Sequence, residues 1–325
     1  GLKASNGEND LAVSLYTNGL SSMQKLHLAT FASLSESEKT LYSKKNQQVY
    51  HNLLSSVSLV PNAITDTIYN IFLFRKGLIL NSSINTRSFI QSSTDERLKQ
   101  KYADWLSTKQ VINNLYSKTI EQRKNSGYDL DSLEELANTL EKELSRMSST
   151  FEDFVMIPDF KWEDIRKNLK PGEAVVDLVK YRLYDKRWTD TTRYGVFITK
   201  SDLEEPVYFE FKDGNRIDTL VIPKLNETNK NKFADASKTE EEDANVIMLG
   251  EKDELDFYSE LFAPMAEHLN GVKKIYFSLD GEFYKVNFST LRNPATGKYL
   301  IEDYEIVYVS SANEIARGKR ETPPN

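Results

Sequence analysis

The spacing of apolar positions changes once along this chain. Up to about residue 160 they recur at steps of three and four, the period of an amphipathic helix. Ser35-x-x-Glu38 is a capping box that opens a polar helix, with Leu41, Tyr50, Leu53, Leu54 and Val57 as its apolar face. Pro61 punctuates the chain, and a second helix is predicted from about Asn62 to Leu80. A third starts near Thr94 and carries Leu98, Tyr102, Trp105, Ile112 and Tyr116 on one stripe. The turn Asn125-Ser126-Gly127-Tyr128-Asp129 follows. A second capping box, Ser132-x-x-Glu135, then opens a fourth helix with Leu133, Leu136, Leu140, Leu144, Met147, Phe151 and Phe154. Short connections between long helices predict antiparallel neighbours. A 34-residue, TPR-like repeat is compatible with these lengths, although no clean consensus copy occurs. Stripes of this kind are helix–helix seams, and hairpins so built can also present a groove to a partner. No residue among them selects a ligand.

Beyond residue 160 the period shortens to that of strands. Short β-branched or aromatic runs lie at Ala174–Val179, Tyr194–Thr199, Val207–Phe211, Lys274–Leu279 and Glu305–Val309. Asp280-Gly281 predicts a hairpin, with Glu282–Phe288 returning as the partner strand. A helix carrying Leu255, Tyr258, Leu261, Met265 and Leu269 stands before Gly271, which suits a C-cap. Strands with a crossover helix predict an α/β layer. The expected fold class is therefore α plus α/β. The expected domains are 1–160, a helical, TPR-like scaffold, and 161–325, an α/β domain. A polar stretch at about 226–245 reads as a mobile insertion, with a functional acidic tract as the alternative.

Composition narrows the chemistry. The net charge of -7 sits almost entirely beyond residue 160 and argues against a general phosphate-backbone binder. No apolar run approaches about 18 residues, so no transmembrane helix is expected. The 325 residues contain no cysteine, which excludes disulfides, thiolate metal sites and a cysteine nucleophile within the chain. His27, His51 and His268 are read into separate helices, without ligand spacing. Phosphate-loop, dinucleotide and serine-nucleophile motifs are absent. No catalytic, cofactor-binding or metal-ligating residue is assigned, and no cofactor is expected. The first residues lack an initiator Met and a signal-peptide pattern, and the last resemble open loop, so a piece of a longer protein is expected.

The second half carries an ordered set of motifs. They are Asp280-Gly281, Asn287-Phe288-Ser289-Thr290-Leu291, and Leu300-Ile301-Glu302-Asp303-Tyr304 through Ser310-Ser311. Leu169-Lys170-Pro171-Gly172-Glu173-Ala174 lies upstream, and Phe74-Arg75-Lys76-Gly77-Leu78-Ile79-Leu80 lies further back. Over roughly residues 60–317 these resemble the first half of a CHAT domain, with the segments that precede it. Asn287 stands where proline is usual.

The resemblance implies a caspase- and separase-like cysteine endopeptidase fold, usually bacterial or archaeal. Its dyad is a His followed by a Cys, both in segments after the last motif present here, so neither is carried onto any residue of this chain. The implied partners are the C-terminal part of the same protein, bearing the dyad, and a protein substrate or regulator. Neither nucleic acid nor membrane is expected as a partner, and the cytoplasm is the expected location. Arg317, Lys319 and Arg320 read either as a cleavable basic exit or as solvated charges. Three readings stay open: the non-catalytic N-terminal part of a two-part peptidase, an interaction scaffold, and a regulatory subunit.

Overall fold

The computed structural model describes residues 9–31, 33–57, 65–149, 159–221 and 257–318. The insertion expected at 226–245 lies outside them, as do Phe151, Phe154 and Leu255. An N-terminal helical region precedes a mixed five-stranded sheet, the expected α plus α/β class. The chain forms two compact units. One comprises residues 15–49 and 75–159, the other 1–14, 50–74 and 160–325. The units thus cut the chain differently from its composition, because residues 50–74 belong with the sheet.

The helical unit draws on α1 (Asn9–Phe31), α2 (Glu36–Lys45), the later part of α4 (Thr65–Ser92), α5 (Glu96–Tyr116), α6 (Ile120–Lys124) and α7 (Leu130–Ser149). The capping box at the start of α2 forms as expected: Ser35 Oγ accepts from the Glu38 amide, and the Ser35 amide donates to Glu38 Oε2 at 3.2 Å. Glu38 also pairs with Lys142 of α7 at 2.6 Å. Ile90, Leu98 and Leu144 form a small buried cluster, with Tyr102, Trp105 and Met147 packed on it.

Three expectations change in this unit. The first polar helix ends at Asn46, whose amide and side-chain Nδ2 both donate to the Tyr42 carbonyl. Leu41 is thereby separated from the apolar face of α3 (Gln47–Val57) and stays 66% exposed. The fourth helix starts at Leu130 rather than at a Ser132 cap. The Leu133 amide already donates to the Asp129 carbonyl at 3.1 Å, a helical bond, and Ser132 hydrogen-bonds the Asp129 carboxylate from inside the first turn. Tyr116 ends the third stripe largely exposed, while Leu115 is buried in its place.

The sheet unit is built on β1 (Glu173–Asp185), β2 (Arg187–Lys200), β3 (Val207–Phe211), β4 (Lys274–Ser278) and β5 (Glu305–Val309). The strand order is β3-β2-β1-β4-β5. β1, β2 and β3 pair antiparallel, whereas β1, β4 and β5 run parallel. β1 and β2 extend well past the apolar runs into one long hairpin, closed at Lys186 and faced at its tip by Tyr184 against Trp188.

Alternate residues of each strand face opposite layers. Ala174, Val176, Leu178, Val196, Ile198, Ile275 and Phe277 join the main core, with Ile217, Leu261, Phe262, Met265, Phe283, Phe288 and Leu291. On the other face Tyr69 stacks flat on Phe197 at 4.5 Å, and Ser55 Oγ accepts from the Tyr184 amide at 2.8 Å. These contacts attach residues 50–74 to the sheet. Tyr69 is fully buried there, and burial followed by the charge of Asp177 drives its phenol pKa well above the ordinary range.

The expected helix before Gly271 is irregular. Tyr258–Phe262 is a π-turn that passes into a short α-helix, Ala263–Ala266. Pro264 explains the widening, since proline has no amide proton to give the bond that α-helical pairing requires. His268 consequently lies in a turn after the helix, not within one.

A helical stretch at 214–221 begins with its backbone against β2. Asn215 Oδ1 accepts from the Thr192 amide at 2.6 Å, and Asn215 Nδ2 donates to the Asp190 carbonyl at 2.9 Å. A Cβ at Gly214 would lie 2.6 Å from the Thr192 carbonyl oxygen and 3.0 Å from the Arg193 nitrogen. Backbone atoms held in a sheet cannot move aside as a side chain can. Gly214→Ala is expected to destabilise the protein by about 1–3 kcal/mol, measured as a lowered urea midpoint. An unchanged midpoint would show that this approach is not tight.

Candidate functional site

The parallel strands place Asp280-Gly281 and Ser310-Ser311 at their C-terminal ends, where open α/β sheets place their sites, whereas Leu169–Ala174 and Leu300–Tyr304 lead into β1 and β5 at the opposite end. β4 sits between β1 and β5, and both of its edges are used. Glu282–Phe288 therefore does not return as a hairpin strand. It forms a 3-10 turn at Gly281–Lys285, then a second at Phe288–Thr290. Phe283, Val286, Phe288 and Leu291 all enter the core, a spacing that alternation cannot supply.

Asp280 is what turns the chain. Its backbone is extended, at φ -151° and ψ 156°. Its carboxylate accepts from the Gly281 amide at 2.8 Å and from the Lys180 amide of β1 at 2.8 Å. Beside it, the Lys180 ammonium lies 2.9 Å from Asp218 and 3.7 Å from Glu282. The Tyr194 hydroxyl donates to Asp218 Oδ1 at 2.6 Å and accepts from the Glu282 amide at 3.0 Å. Burial, with the bond to Asp218, pushes the Tyr194 phenol far above its ordinary pKa. This network locks the Asp280-Gly281 turn to β1 and β2. It holds one ammonium among carboxylates and a phenol that stays protonated, so it offers no nucleophile.

The remaining motifs also have structural explanations. In Asn287-Phe288-Ser289-Thr290-Leu291, Asn287 Oδ1 caps the turn by accepting from the Ser289 amide at 3.1 Å. The Phe288 amide donates to the Tyr308 hydroxyl of β5 at 2.8 Å. In Leu300-Ile301-Glu302-Asp303-Tyr304, Leu300 is buried, the Tyr299 amide donates to Glu302 Oε2 at 2.7 Å, and Asp303 pairs with Lys298 at 3.2 Å. After β5, Ser310 is held to Glu314, Ser311 is buried, and Asn313 Nδ2 donates to the Leu73 carbonyl at 2.7 Å. A groove of about 360 Å³ opens beside β5, with Leu279, Tyr284, Asn287, Tyr308 and Val309 among its walls.

No histidine reaches this groove. His51 Nδ1 accepts from the Arg182 amide at 3.3 Å, and His268 stacks on Phe209 at 5.2 Å. His27 lies in the helical unit between Phe31 and Tyr42, where burial and then Arg75 lower its pKa. Among the described residues no group of three His, Cys, Asp or Glu is placed to hold a metal ion. No described helix is long and apolar enough to cross a membrane. Sequence reasoning missed Lys180, Tyr194 and Asp218, which lie 62 to 102 residues before the turn they hold, and the local pattern around them carried no sign of it.

Neither curated proteins nor solved structures gave a match. A family model, the CHAT domain, matches residues 256–324. That range contains β4, both 3-10 turns, the Leu300–Asp303 helix and β5, so the stretch that carries these motifs is similar to a CHAT domain.

Proposed function

We propose that this chain is the non-catalytic part of a CHAT-type cysteine endopeptidase. It acts in the cytoplasm, on protein substrates, together with a part that carries the catalytic His and Cys. The observation that carries this reading is the pairing of a CHAT-domain match with a complete lack of cysteine. A cysteine peptidase needs a thiolate to form its acyl-enzyme. What these residues supply is a framework: a parallel sheet end, a locked turn, and a groove beside β5. Among the described strands β5 pairs on one side only, with β4. Its Glu-Ile-Val-Tyr-Val sequence has no proline or lysine to discourage a further strand. A strand from the dyad-bearing part would find free backbone groups there.

The test is purification of the chain from its native source, followed by intact mass and labelling with a thiol-reactive probe. A cysteine-bearing chain is expected to accompany it, with peptidase activity that alkylation abolishes. A single species without such a partner, or peptidase activity from this chain alone, would overturn the proposal. An interaction scaffold is the second reading. It is favoured by Tyr116, Ile120 and Tyr128, apolar side chains more than half exposed on the helical unit. It expects a captured partner without any cysteine peptidase activity.

A further inference from the structure

Lys39 in α2 is only 3% exposed, although lysine is almost never fully buried unless paired. Its ammonium lies over the Phe31 ring, 5.9 Å from the centroid. Glu141 and Glu36 act on it through space. Lys39 lines a half-open cavity of about 50 Å³, together with Glu36, Arg87, Tyr102, Trp105 and Glu141. All belong to the helical unit. Trp105 Nε1 is a buried donor with no hydrogen-bond partner. The volume suits a molecule of a few heavy atoms, since a liquid water takes about 30 Å³.

Two acid–base features match this geometry. Burial lowers the Lys39 pKa, against the opposing pull of Glu141 and Glu36, and so enlarges the fraction of free amine. Burial also raises the Glu141 pKa, so its carboxyl takes up a proton more readily than an exposed glutamate does. Glu141 Oε1 is fixed by accepting from the Glu36 amide at 3.0 Å.

We propose that Lys39 is the nucleophile of a small-carbonyl site, where its amine condenses with a small aldehyde held in this cavity beside Tyr102 and Trp105. The nitrogen lone pair attacks the carbonyl carbon, and the C=O π pair moves to oxygen. A proton passes from nitrogen to that oxygen, giving a carbinolamine. Glu141 then protonates the hydroxyl, the C–O bond breaks and water leaves as the nitrogen lone pair forms C=N. The iminium returns its proton to Glu141. Amine and aldehyde thus become imine and water, with no oxidant or reductant. The Trp105 N–H is the donor for the carbonyl oxygen, and the Phe31 ring favours the cationic iminium as it does the ammonium.

The test is incubation of the full chain with glycolaldehyde and cyanoborohydride, followed by peptide mass mapping. Lys39 is expected to carry the reduced adduct severalfold ahead of the exposed Lys44 and Lys45 of the same helix. Glu141→Gln is expected to slow Lys39 severalfold and leave Lys44 and Lys45 unchanged, with circular dichroism confirming the helices. Lys39→Arg removes the adduct at this position alone. Labelling of Lys39 no faster than Lys44 and Lys45, or labelling that requires urea, would overturn the proposal. Because the wild-type comparison needs no variant, a misfolded substitution does not obscure the result.

Discussion

Phe288→Ala is expected to cost about 3–5 kcal/mol of unfolding free energy, measured by urea unfolding through the tryptophan fluorescence of the sheet unit. Phe288 has no exposed surface. Its ring stacks on Phe277 of β4 at 4.4 Å, and lies 6.2 Å from Phe283 and 6.5 Å from Phe262. Three elements, β4, the Gly281–Lys285 turn and the Tyr258–Phe262 π-turn, therefore meet on this one ring. Its removal leaves a cavity whose walls are held by the sheet and cannot close. Whole domains are stable by only about 5–15 kcal/mol, so the variant should be marginally folded. Tyr284→Ala is the control: that ring is 61% exposed, four residues away, and the change should stay within about 0.5 kcal/mol. Equal midpoints for the two variants would contradict the packing described for Phe288. The expected contrast assigns the Asn287–Leu291 motif to the core, rather than to contact with substrate.

Much of this core was legible as pattern, because burial leaves its mark on local spacing. The five strand runs and the Ser35 capping box needed only period and capping chemistry to be read. What the pattern could not supply was pairing. Asp280-Gly281 has the sequence of a hairpin, yet β1 and β5 occupy the two edges that Glu282–Phe288 would need. Only a long-range fact, the parallel placement of β4, overrides the local signal. The same holds for residues 50–74. Their helical period says that one face is buried, but not that Tyr69 and Phe72 bury it against Phe197. Leu41 failed for a local reason: Asn46 breaks the helix and resets its face. The candidate site was legible as a family resemblance, through motifs that prove to be packing and turn residues. Its anchoring network was not, since Lys180 and Tyr194 join Asp218 to Glu282 only after the sheet has formed.

Gly281→Ala and Asp280→Asn separate the hairpin expected from the sequence from the turn observed. In a two-residue hairpin of the Asn-Gly or Asp-Gly kind, asparagine replaces aspartate at little or no cost. In the structure Asp280 is extended, and its two oxygens accept from two amides, Gly281 and Lys180. Asparagine keeps one acceptor and turns an NH₂ donor toward an N–H donor. Asp280→Asn should therefore cost about 1–3 kcal/mol. Gly281 has φ +58°, a conformation that costs an L-residue about 1–2 kcal/mol. A Cβ there would also meet the Lys180 side chain, and would lie 2.6 Å from the Tyr194 hydroxyl and 2.9 Å from its ring. Neither neighbour can withdraw freely, since Lys180 is held by Asp218 and Glu282 and Tyr194 is wholly buried. Displacing them adds overpacking of about 1–3 kcal/mol. Gly281→Ala should accordingly lose about 2–5 kcal/mol in total. Urea midpoints of the two variants decide the matter: a neutral Asp280→Asn would restore the hairpin, whereas losses in both fix the turn as the lock between β4 and β1.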